Sequence, residues 1–107
     1  MSDNPFSPGN QDLANELETL PDSVAASLYE WRKLTLDRER VEARMYLTFK
    51  NPTSGEKRTV GEVEALIHSD PQRYEIRLSE ALAESNYTRL LERLYCAKKL
   101  SSLRTAY

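Results

Sequence analysis

From Gln72 to Thr105 the chain contains neither glycine nor proline, and Leu, Ala, Glu, Arg and Lys dominate it. All five are good helix formers. The stretch opens on Ser69-Asp70-Pro71, with a side-chain oxygen to cap the first free N–H groups and proline in the first helical turn. A helix of that length rises through roughly 50 Å at about 1.5 Å per residue. Helical propensity does not hold so long an element by itself, so one face has to be covered by other parts of the chain or by copies of it.

The remaining elements follow from punctuation and period. Residues 1–10, with Pro5, Pro8 and Gly9, read as a flexible tail, and residues 11–107 as a single helical domain. Leu13, Leu17 and Leu20 predict a short helix over 11–19, which Pro21 is expected to end. A second helix is expected from Asp22 or Ser23 to about Phe49, with Val24, Leu28, Trp31, Leu34, Val41, Met45 and Phe49 on its apolar face. Thr35 to Arg40 interrupt that face with polar side chains. Trp31 is expected to be a packing residue. Asn51-Pro52-Thr53-Ser54-Gly55 is a loop. Thr59 and Glu62 stand at capping-box spacing before a helix over 60–68, with Val60, Val63, Leu66 and Ile67 available for burial.

In the last helix, Tyr87, Leu90, Leu91, Leu94 and Ala97 project into one sector and Cys96, Leu100, Leu103 and Tyr107 into another. A hairpin of the two long helices leaves the second sector uncovered, so Leu100, Leu103 and Tyr107 are candidates for an interface between copies. The expected fold is therefore all-α: a long two-helix antiparallel hairpin with short flanking helices, assembling as a homo-oligomer.

Charge is blocked along the chain, although the net value is only −2. Acids dominate 1–31 and 59–85, and bases dominate 32–58 and 86–107. Antiparallel pairing sets each block against its opposite. What that pairing leaves over is the loop end, where Arg40, Arg44, Lys50, Lys57 and Arg58 lie among Tyr46 and Phe49. Bases interleaved with aromatics track a phosphate backbone and stack on its bases. Acids elsewhere, such as Glu80 and Glu84 beside Arg77, read as a solvated helix face.

No nucleotide-binding loop, paired-cysteine motif, nucleophile elbow or metalloprotease motif occurs, so a non-enzymatic role is expected, with no cofactor. The lone His68 reads as a capping or surface residue, and Cys96 as a packed one. The polar, acidic start is unlike a signal peptide, and no apolar run reaches membrane-spanning length. A cytoplasmic protein without membrane contact is the expectation.

The order of these features resembles the UvsY-type recombination mediators of phages. It rests on Val41-Glu42-Ala43-Arg44-Met45-Tyr46, a polar loop, then Gly61-Glu62-Val63-Glu64-Ala65-Leu66-Ile67 leading through Ser69-Asp70 into a last helix ending near Leu103-Arg104. The likeness covers roughly residues 30–107. It implies single-stranded DNA, a RecA-like recombinase and single-strand-binding protein as partners, a ring-like homo-oligomer, and a place in the host cytoplasm. The family's DNA-contacting run is Leu-Lys-Ala-Arg. Arg44 matches its arginine, and Glu42 stands where its lysine would be. A helical assembly or adaptor protein acting only through protein–protein contacts is the alternative that the residues leave open.

Overall fold

The computed structural model describes residues 8–53 and 55–106, and these form three helices with no strand among them. They are α1 (Pro8–Lys50), α2 (Val60–Ser69) and α3 (Pro71–Ala106). No helix among the described residues is long and apolar enough to cross a membrane.

The start of α3 is built as its residues dictate. The Asp70 Oδ1 accepts the backbone N–H groups of Gln72 at 2.8 Å and Arg73 at 3.3 Å, and Pro71 follows at the first helical position. Thr59 caps α2, its hydroxyl oxygen accepting the Glu62 N–H at 3.2 Å. The Glu62 carboxylate accepts the Thr59 hydroxyl proton at 3.1 Å. Between α1 and α2, the Gly55 N–H donates to the Pro52 carbonyl at 3.1 Å, and Gly55 has a φ of +84°, which side chains with a Cβ adopt at a cost.

Pro21 does not end a helix. The expected break is absent, and the two helices anticipated over 11–19 and 22–49 are one continuous element. A helix-interior proline costs a hydrogen bond and a steric clash, about 3 kcal/mol. Burial on both sides of it compensates. Leu20 is buried against Leu94 and Ala97, with Leu13, Leu17 and Val24 packed around them. The spacing 13, 17, 20, 24 runs through the proline without changing face. Residues 8–10 of the expected tail belong to α1, while the rest of it lies outside the described residues.

The chain divides into two compact units. The first comprises the described residues up to Tyr29 and those from Glu84 onward, around Leu20, Leu94 and Ala97. In it Leu90, Leu94 and Ala97 face inward as expected, while Leu100 and Leu103 are about half exposed. Cys96 is also exposed, contrary to the packed position expected for it, because it lies on the opposite side of α3 from Leu94 and Ala97.

The second unit, Glu30–Ala83, packs α1 antiparallel to α3, with Arg38 joined to Glu80 and Glu42 to Arg73. Helix α2 covers one part of it. Val63, fully buried, and Ile67 meet Val41 and Met45, and Tyr46, Phe49 and Ile76 pack around them. Leu66 is partly buried, Val60 is exposed, and Trp31 is partly buried.

Candidate nucleic-acid interface

Half of the Arg and Lys side chains of the second unit, Arg38, Lys50, Arg58, Arg73 and Arg77, face a partner. Arg38 is the most committed. Its Nε donates to both Glu80 oxygens, at 2.8 and 3.0 Å, and its Nη1 to both Glu42 oxygens, at 3.1 and 3.2 Å. Arg73 Nε donates to Glu42 at 3.2 Å, and Arg77 Nη1 to Glu80 at 2.8 Å.

Glu80, far from belonging to a solvated face, is only 3% exposed. Burial pushes its carboxyl up, but the Thr35 hydroxyl, Arg38 and Arg77 together outweigh that and hold it below the ordinary carboxylate range. The Glu80 hydrogen bond correspondingly raises the Arg38 guanidinium, against the lowering effect of burial. The polar interruption in the α1 stripe thus has its counterpart on α3. Thr35 and Arg38 are the groups that make a buried Glu80 tolerable.

Lys50 and Arg58 close the loop. Lys50 Nζ donates to the Arg58 carbonyl, and Arg58 Nη1 donates to the Phe49 carbonyl, each at 2.9 Å. Both remain partly accessible. Arg40, Arg44 and Lys57 are exposed and make no ion pair among the described residues. The five sequence-derived candidates therefore separate into two that hold the loop and three with free cationic heads. Tyr107, named with Leu100 and Leu103 for an interface between copies, lies outside the described residues.

Glu42 is not a repulsive neighbour of Arg44. Its carboxylate is turned to Arg38 and Arg73, whereas Arg44 borders a cleft of about 310 Å³ together with Val41, Met45, Thr48, Phe49, Asp70 and Gln72. Position 42 packs against α3, and its charge is matched there by Arg73.

Sequence reasoning missed the contribution of α3 to this site. Asp70 and Gln72 read only as helix-start residues, yet the fold brings them beside Arg44. The shared signal is the antiparallel register, which sets the end of α1 beside the start of α3. Tyr74, Leu78 and Leu82 on α3, and Leu36 and Leu47 on α1, are large apolar side chains left exposed in the same unit. Among the described residues no group of three or more His, Cys, Asp or Glu could hold a metal ion, and His68 is exposed at the end of α2.

No family model, curated protein or solved structure matches the chain.

Proposed function

We propose that the chain is a non-enzymatic recombination mediator. It binds single-stranded DNA through Arg40, Arg44 and Lys57, with Lys50 and Arg58 at the rim, and helps load a RecA-like recombinase onto strands covered by single-strand-binding protein. The observation that carries the reading is the separation of cations in the second unit. Arg38, Arg73 and Arg77 are neutralised by Glu42 and Glu80, whereas Arg40 and Arg44 are exposed, and Arg44 lines a partly apolar cleft. The resemblance of residues 30–107 to the mediators supplies the recombinase and the single-strand-binding protein. A cytoplasmic setting fits this role.

A few cations on a chain of net charge −2 hold a strand weakly, and repetition of the site in a homo-oligomer multiplies the contacts along one strand. Exposed Leu36, Leu47, Tyr74, Leu78, Leu82, Leu100 and Leu103 give such an assembly its material. The same side chains favour a second reading, a helical adaptor that works through protein contacts alone. A salt titration of binding to a labelled single strand decides between them. Phosphate contacts make log affinity fall linearly with log salt, and an adaptor shows no binding at any salt.

A further inference from the structure

The cleft beside Arg44 has more in it than a place for phosphate. Its floor is Val41, Met45 and Phe49, and its polar edge is Thr48, Asp70 and Gln72. At about 310 Å³ it stands at the lower end of small-molecule sites, which is room for one flat ring. The polar edge is defined in hydrogen-bonding character. The Thr48 hydroxyl proton is donated to the Arg44 carbonyl at 3.0 Å, leaving its oxygen as an acceptor. One Asp70 oxygen is taken by the Gln72 and Arg73 N–H groups. The other makes no hydrogen bond among the described residues. Asp70 therefore presents an unspent anionic acceptor to the cleft, while Arg44 supplies the positive charge.

We propose that this cleft takes a single unstacked base of the bound strand, with the phosphate at Arg44 and the base edge at Asp70. The inference rests on the single-strand binding proposed above and adds a base preference to it. A carboxylate accepts from the exocyclic amino group of cytosine and is repelled by the O4 acceptor of thymine in the same position. An otherwise sequence-tolerant protein is thereby biased toward cytosine over thymine. Phe49 and Met45 supply the apolar contact for the ring.

The test compares binding of labelled oligo(dC) and oligo(dT) of equal length at pH 8 and fixed salt, for the full chain and for Asp70→Asn. Asparagine caps a helix as well as aspartate does, so the variant keeps the start of α3 while its amide group replaces the free acceptor with a donor. The expected result is a preference for oligo(dC) of at least about fivefold in the parent chain, the low end for one good base contact. In Asp70→Asn it is lost or reversed toward oligo(dT). Arg44→Ala should weaken both strands by the same factor. Binding of both strands with equal affinity, or a preference that Asp70→Asn leaves intact, overturns the cleft and leaves strand binding standing. Failure of the parent chain to bind either strand overturns both. If Asp70→Asn changes only the sedimentation of the protein, the cleft is a contact between copies and the base site is refuted.

Discussion

In the first unit, Leu20, Leu94 and Ala97 meet in an aliphatic seam, and the charged contact beside it, Arg93 with Glu16, lies at the surface. In the second, the same two helices enclose a carboxylate, and Glu80 is reached by Thr35, Arg38 and Arg77. The first unit is held by apolar area, which tolerates any neighbour of suitable size. The second adds a polar network, which fixes which turn of α1 lies against which turn of α3, because a shift by one residue strands a buried charge. That commitment also determines which cations are left for a ligand. Arg38 and Arg73 are spent on the fold, and Arg40 and Arg44, each two residues away from a paired position of α1, are not.

The largest effect expected from breaking this contrast is at Arg38. Arg38→Ala removes two hydrogen bonds from a buried carboxylate and should cost about 3 kcal/mol, the lower end for breaking a buried pair since Thr35 and Arg77 remain. Denaturant unfolding measures it. In the first unit the comparable loss comes from an apolar side chain. Leu94→Ala, opposite Leu20, should cost about 2–3 kcal/mol through lost burial and a cavity. Arg93→Ala, by contrast, should cost about 1 kcal/mol or less, because the Arg93 side chain is 61% exposed and its pair with Glu16 is solvated.

Acid separates the two units in another way. Glu80 is held below the ordinary carboxylate range, so its contribution is fully present above the unfolded value of about 4.3 and is lost as pH falls through the native value. Thermal midpoints between pH 7 and pH 3 should fall less steeply in Glu80→Gln than in the parent chain. Equal acid sensitivity in the two would show that Glu80 is not an anchor.

Much of the fold was legible because its signals are local. Asp70-Pro71 and Thr59 with Glu62 are cap chemistries that operate within a few residues, and the structure uses both. The continuity of α1 through Pro21 was not legible from the proline alone, since it depends on what Leu20 finds on α3. Glu80 was missed for a related reason. Its i,i+3 neighbour Arg77 suggests a surface pair, and only the antiparallel register reveals Thr35 and Arg38 across from it. The same register revises Glu42. Glu42→Lys would set a cation against Arg38 and Arg73, so it should destabilise the second unit and not simply strengthen a site at Arg44. The bases near the loop were visible as a cluster, but their division into loop ties and free heads required carbonyl positions that no spacing rule supplies.

The salt dependence of single-strand binding, compared among the parent chain, Arg44→Ala and Arg93→Ala, tests the central claim that cations unspent in the second unit hold the strand. Each lost phosphate contact lowers the slope of log affinity against log salt by about 0.7 for single strands. Arg44→Ala should flatten the slope by at least that amount, and Arg93→Ala should leave it unchanged. A slope that Arg93→Ala flattens and Arg44→Ala does not would contradict the account and move the strand to the first unit.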